Sequence, residues 1–230
     1  MALFNNVMIT IVLVRPQHPG NVGAVARVMA NFGFHSLMLI APKCDHREQE
    51  ARNRAKHAQS ILQKAKVRDF SALKRFDYVL GTSAQTGTAF NIPRSPVSLK
   101  EAARSVNRKA KIALLFGSEG TGLTNEEVDY CDFLITIPAS KKYGTLNVSH
   151  AVSIVLYEFF ATTAFPVHPL AEKKDMQTIA HFFDKVLDSL PFTTEQKRET
   201  QKKVWRKIIA KAMLTKRETF AVMGFLRKLL

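Results

Sequence analysis

Five short runs rich in Val, Ile and Leu recur along the first 165 residues, at positions 7–14, 36–41, 78–82, 111–116 and 133–137. Each has the length of a strand and lacks the polar alternation of a half-exposed one, so each predicts a strand buried on both faces. Helical patterns fill the gaps, near 22–32, 47–66, 99–106 and 125–130, followed by a long one over 146–163. Ser98-x-x-Glu101 and Thr124-x-x-Glu127 read as capping boxes at two helix starts. Strand followed by helix, repeated, predicts an α/β domain: a parallel sheet with helices on both faces.

The pattern changes after Ala164. Phe165-Pro166-Val167-His168-Pro169 is punctuated by proline and predicts a linker over 165–170, because each Pro removes a backbone donor and disfavours helix in the residue before it. Beyond it only helical patterns remain, over 170–189, 194–213 and 216–229, with start signals at Thr193-x-x-Gln196 and Thr215-x-x-Glu218. The expected organisation is an α/β domain over 1–164 and a small all-α domain over 171–230.

Charge separates the two parts. The chain of 230 residues has 34 Lys and Arg against 19 Asp and Glu, net +15. Residues 166–230 hold 14 cations and 7 acids, more than twice the net charge per residue of the remainder. A basic excess of this size points to a polyanion, either nucleic acid or an anionic membrane surface. The membrane is the weaker choice, since no helix there sets a lysine-rich face against an interfacial aromatic one. Trp205 lies among Lys202, Lys203, Arg206 and Lys207, where it can stack on a base or pack into a helical core; its spacing from Ile209 favours core.

With 46% hydrophobic and 23% charged residues, composition excludes disorder. The first 14 residues contain no Lys or Arg, so they lack the charged start of a signal peptide. The longest apolar stretch, 151–167, is interrupted by Glu158 and reads as a buried helix. A soluble, cytoplasmic protein is expected. Cys44 and Cys131 are too few for a zinc site and read as small buried apolar residues.

Three loops carry chemistry. Arg15-Pro-Gln-His-Pro-Gly20-Asn21-Val-Gly23-Ala-Val-Ala-Arg27 follows the first strand. Asn21 can cap the helix, Gly23 admits a close neighbour, and the helix start suits an anion. Arg27, two turns in, can clamp a phosphate with its forked donors; the plain alternative is a capped helix with Arg27 in a salt bridge. Gly117-Ser-Glu119-Gly120-Thr-Gly122 follows the fourth strand, with spacing that is neither the dinucleotide fingerprint nor a P-loop. Glu119 would repel a phosphate, so this loop either takes a ligand rich in donors or brings Glu119 near Arg27. The third loop, Ile137-Pro138 to Thr145-Leu146-Asn147-Val148-Ser149, is polar and basic and enters the apolar helix; Thr145 or Asn147 can cap that helix, while Lys141 and Lys142 can meet phosphates.

Asn21-x-Gly23-x-x-x-Arg27, Phe116-Gly117-Ser118-Glu119-x-x-Gly122-Leu123 and Ile137-Pro138 followed by Leu146-Asn147-Val148-Ser149-x-Ala151 together resemble the three ordered motifs of SpoU-type RNA ribose 2′-O-methyltransferases of the SPOUT class. The match spans about 7–164. Gly81-Thr82-Ser83-Ala84 and Tyr143-x-Thr145-Leu-Asn are most similar to the TrmJ-like subfamily, which methylates tRNA at nucleotide 32 of the anticodon loop. The resemblance implies a trefoil knot at the carboxyl side of the sheet, a homodimer and S-adenosylmethionine as cofactor. It implies cofactor contacts at Thr82, Ser83, Gly117, Ser118, Glu119, Gly120, Ile137, Leu146, Asn147 and Val148, largely through backbone groups. Arg27 would be the principal catalytic residue, with Asn21 and Thr145 holding the reacting region. Gln85 stands where many of these relatives carry Arg, which removes one phosphate-binding group from that edge.

The sequence holds no catalytic metal motif and no compelling Cys/His or Ser/His nucleophile. Arg27 stays protonated, so its expected contribution is to lower the acceptor hydroxyl's pKa and fix its placement; His18 is the alternative base. A ribosomal RNA substrate is the alternative within the enzyme class, and a non-enzymatic RNA-binding protein that keeps the fold is the alternative outside it.

Overall fold

A computed structural model describes residues 8–84, 96–105, 109–140, 142–161 and 170–230. Seven strands form one sheet in the order β3-β2-β1-β6-β4-β7-β5, every neighbouring pair parallel. They are β1 (Met8–Val14), β2 (Ser36–Ile40), β3 (Lys66–Arg68), β4 (Tyr78–Thr82), β5 (Val97–Ser98), β6 (Lys111–Phe116) and β7 (Phe133–Thr136). The five expected strands are present. The two edge strands add to these: β3 is three exposed residues and β5 only two, too short to show a period in the sequence.

The near-continuous apolar runs divide between two faces. Ile9, Ile11 and Leu13 of β1 pack with Ile112, Leu114 and Phe116 of β6 in one cluster. Val12 and Val14 pack with Ala113 and Leu115 in another. Side chains alternate across a strand, so burial on both faces demands an apolar residue at every position. The registers Ile11↔Leu114 and Leu80↔Leu114 stack these residues at the sheet centre. Truncating such a leucine to alanine costs about 2–5 kcal/mol.

The first cluster is covered by α1 (Pro19–Asn31), α2 (Gln49–Ala55), α3 (Gln59–Lys64), α4 (Leu99–Ser105) and α6 (Val148–Ala161). The second is covered by a 3-10 segment, Phe70–Arg75, and by α5 (Asn125–Val128). The pattern expected as one helix over 47–66 is broken at Lys56, whose backbone enters the left-handed region (φ 54°), and a 3-10 turn separates α2 from α3. The first helix begins earlier than expected: Pro19 supplies a preset φ at its start and His18, not Asn21, is the N-cap.

The C-terminal segment forms α7 (Lys173–Ser189), α8 (Glu195–Lys211) and α9 (Lys216–Leu226), with a small core of Ile179, Ile209, Met223 and Leu226. The boxes at Thr124 and Thr215 are formed. For α8 the cap is Thr194, accepting from the Lys197 N–H, rather than Thr193. Helix α7 starts later than position 170, on a box made by Glu172 and Asp175. Leu170 is buried in the main core, the Tyr78 hydroxyl donates to the Ala171 carbonyl, and Lys207 Nζ donates to the Val128 and Cys131 carbonyls. Most of the expected linker, with Gln85 and Lys141, lies outside the described residues. Trp205 is half-buried and stacks on Phe183 (centroids 4.9 Å apart), which itself packs against this core. Both cysteines are free, Cys131 buried and Cys44 half-buried.

Candidate active site at the carboxyl ends of the strands

The strand order reverses direction at β1: β2 and β3 lie on one side, β6 and β4 on the other. Open α/β sheets bind ligands outside the carboxyl ends of strands near such a point. All three motif loops converge there. A cavity of about 190 Å³ opens between the ends of β4, β6 and β7. Thr82 and Ser83 line it from β4; Gly117, Ser118, Glu119 and Gly120 line it from the loop after β6. Ile137, Thr145, Leu146 and Val148 complete it from the loop before α6. Nine of the ten residues assigned to the cofactor therefore share one cavity. Asn147 does not line it.

Glycine shapes the second loop. A Cβ on Gly117 would lie 2.2 Å from the Gly122 carbonyl carbon, and Gly122 has φ 65°, so both positions need glycine for the loop to fold back on itself. The return is held by the Gly122 N–H donating to the Ser118 carbonyl (2.9 Å).

Hydrogen bonds tie the loops to each other. Glu119 accepts from the backbone N–H of Gln17 (3.1 Å) and of His18 (3.4 Å) and from Asn21 Nδ2 (3.1 Å). Its carboxylate thus occupies the anion-favouring start of α1, where a phosphate was one expectation. Asn21 Oδ1 accepts from Asn147 Nδ2 (3.0 Å), and Asn147 Oδ1 accepts from the N–H (2.9 Å) and Oγ–H (2.7 Å) of Ser149. Asn147 is therefore the cap of α6, which begins at Val148. One chain of bonds, Glu119–Asn21–Asn147–Ser149, joins the three motifs.

Arg27 makes no hydrogen bond or ion pair with a described residue and is exposed, which removes the salt-bridge alternative. It does not line the cavity. Gly23 meets a protein neighbour: a Cβ there would lie 2.1 Å from the Ala51 carbonyl oxygen of α2. Thr145 is exposed at the cavity rim, and His18 has an exposed side chain.

Sequence reasoning missed two clamps. Arg15 Nε and Nη2 grip the Glu127 carboxylate (2.8 and 3.1 Å), and Nη2 also reaches the Gly122 carbonyl (3.2 Å). Gln17 Nε2 donates to Ser118 Oγ (2.9 Å). Both residues sit inside the first motif, yet only the fold shows that residues a hundred positions away face them. Cys44 is also drawn into the surroundings: burial first, then the Glu119 carboxylate, pushes its thiol up to about 11. Among the described residues no cluster of His, Cys, Asp and Glu suits a metal, and no helix is long and apolar enough to cross a membrane.

Known proteins share this sequence pattern and fold. The SpoU rRNA Methylase family matches residues 8–157. The tRNA (cytidine-2′-O-)-methyltransferase TrmJ of Methanocaldococcus jannaschii is 35% identical over 226 residues, covering 95% of this chain and 98% of that one. The crystal structure of TrmJ from Z. mobilis ZM4 superposes with a TM-score of 0.64 at 27% identity, over 96% of this chain and 98% of the other. A structure described as giving insight into 2-OH methylation of C/U34 on tRNA matches at TM-score 0.55 and 27% identity, over 68% of this chain and 96% of that one. The chain belongs to the SpoU methylase family. It is an RNA methyltransferase, and S-adenosylmethionine is the methyl donor of its class. The cavity fits that donor: Leu123, Val128, Ile137 and Leu146 offer apolar surface to a base, Thr82, Ser83 and Ser118 offer polar groups, and a Cβ on Gly120 would meet nothing within 4 Å.

Proposed function

We propose that the chain methylates a ribose 2′-hydroxyl of tRNA, at nucleotide 32 of the anticodon loop. The observation that carries this is the bonded chain Glu119–Asn21–Asn147–Ser149, which gathers three motifs beside the cavity and leaves Arg27 unpaired on the helix it anchors. The likeness to the archaeal tRNA enzyme runs through the C-terminal helices as well, which favours tRNA over ribosomal RNA.

S-adenosylmethionine, when bound, supplies a methyl group on a positively charged sulfur. Thr82, Ser83, Gly117, Ser118, Gly120, Ile137, Leu146 and Val148 would hold it, chiefly with backbone groups. Glu119 and Asn147 act one step removed: their side chains bond to the protein and fix the loops. Asn21 is a positioning residue for the same reason, its amide occupied at both ends. Arg27 is the catalytic residue. Its permanent charge clamps the phosphate next to the acceptor ribose and stabilises the oxyanion as the 2′-hydroxyl gives up its proton to solvent water. Thr145, at the rim, orients that ribose.

The same reading takes the polypeptide to be knotted at the loops around the cavity, to act as a homodimer in the cytoplasm, and to divide into a methyltransferase domain (1–164) and a basic helical RNA-binding domain (171–230). Mass-spectrometric mapping of ribose methyls in tRNA from cells lacking the protein tests the substrate. A methyl missing from nucleotide 32 is expected; one missing from nucleotide 34, or from ribosomal RNA alone, overturns the assignment.

A further inference from the structure

Between Ala51 and Arg68 the chain carries six Lys and Arg, one His and no Asp or Glu. All six cations are exposed, and none makes an ion pair with a described residue. Like charges packed this closely repel each other, so folding alone does not favour them. Lys66 and Arg68 have a structural account, because β3 is an edge strand and cations there deter pairing with another sheet. Arg52, Arg54, Lys56 and Lys64, on α2, α3 and the turn between them, have no acidic partner among the described residues, and Arg52 bonds only to the neutral Gln49.

Their position links them to the site. Gly20 and Gly23 face α2, where added Cβ atoms would meet Glu50 Oε1 at 2.3 Å and the Ala51 carbonyl at 2.1 Å. Arg27 lies four residues beyond Gly23 and seven beyond Gly20, on the same stripe of α1. A helical side chain leans back toward the amino end, so Arg27 emerges beside α2. On α2, α3 and the turn between them the apolar residues Ala51, Ala55, Ala58, Ile61 and Leu62 are buried, and the exposed uncharged ones include Asn53, Gln59, Ser60 and Gln63; the exposed Val67 lies on the edge strand β3. A helical surface of cations and amides, with no exposed large apolar side chain on α2 or α3, suits a phosphodiester backbone and not a bilayer.

We propose that the exposed face bearing Arg52, Arg54, Lys56 and Lys64 binds RNA phosphates, leading the strand that flanks the methylated nucleotide across α2 to Arg27. This rests on the tRNA reading above. The test uses the full chain with two sets of substitutions: Arg52→Gln, Arg54→Gln, Lys56→Gln and Lys64→Gln on this face, and Lys197→Gln, Lys203→Gln, Arg217→Gln and Lys228→Gln among the exposed cations of the C-terminal helices. Fluorescence anisotropy with tRNA over a salt series, calorimetry with S-adenosylmethionine, and methyl-transfer kinetics are read for each. The first set should weaken tRNA binding about tenfold or more and reduce the salt slope by about three, raising KM while kcat and cofactor affinity hold. Unchanged tRNA affinity and slope in the first set would overturn the proposal, as would loss of binding to phosphatidylserine vesicles with tRNA affinity intact. Failure of the unsubstituted protein to bind or methylate tRNA marks failure of the substrate reading instead.

Discussion

In the C-terminal helices Arg198 faces Glu195, Lys202 faces Asp188 and Glu199, and Arg206 faces Asp184. Lys173 and Lys207 donate to backbone carbonyls of the α/β domain, and Arg227 lies over the Phe182 ring. On α2 and α3 the cations face solvent, with Arg52 bonded only to a neutral neighbour, Gln49. The C-terminal segment has more positive residues, yet much of that charge is neutralised or used to dock helices. Charge counted along a sequence is therefore a poor guide to charge offered to a polyanion. Pairing decides, and pairing is a property of the fold.

The sharpest way to break this division is at Arg27. Arg27→Ala should lower kcat by about a hundredfold to a thousandfold, the range for removing one transition-state donor, while calorimetry shows S-adenosylmethionine affinity unchanged. Arg206→Ala should leave kcat alone. Equal losses from both would erase the distinction between chemical and structural cations.

Lys207 tests the docking role. Lys207→Ala removes the ammonium from the Cys131 carbonyl and one of two donors from the Val128 carbonyl, which keeps the Cys131 N–H, and should cost about 1–3 kcal/mol in urea unfolding, with tRNA affinity of the folded protein unchanged. Burial also pushes the Lys207 ammonium below its ordinary 10.5. The folded chain then releases this proton before the unfolded chain does, so stability contributed by this group rises with pH between the lowered value and 10.5. Lys207→Met should lack that rise in urea midpoints taken across alkaline pH. The smallest effect belongs to the exposed Lys174–Glu172 pair: Lys174→Gln should change stability by less than about 1 kcal/mol and leave tRNA binding as it was.

The central sheet was legible because strands buried on both faces leave unbroken apolar runs, and the motif loops because they follow those runs directly. Edge strands of two or three residues leave no such trace. The break at Lys56 was invisible for a different reason: its neighbours favour helix, and no glycine marks the position where the backbone takes a positive φ. The cofactor set read from the motifs falls in one cavity apart from Asn147, whose amide is turned toward Asn21 and Ser149. Arg15 and Gln17 carry no local sign of their clamping, since their partners, Glu127 and Ser118, lie about a hundred residues on. Long-range pairs of this kind have no local signature.

The bonded chain through Asn21 spans 126 residues of sequence to Asn147. During synthesis at about 5–20 residues per second, the first motif must wait on the order of ten seconds before its last partner exists. Until then Asn21 and Glu119 can bond to each other but nothing closes the far wall. A nascent or prematurely ended chain would hold most of the sheet and no competent site, so unfinished copies would have no means of trapping the methyl donor or marking RNA.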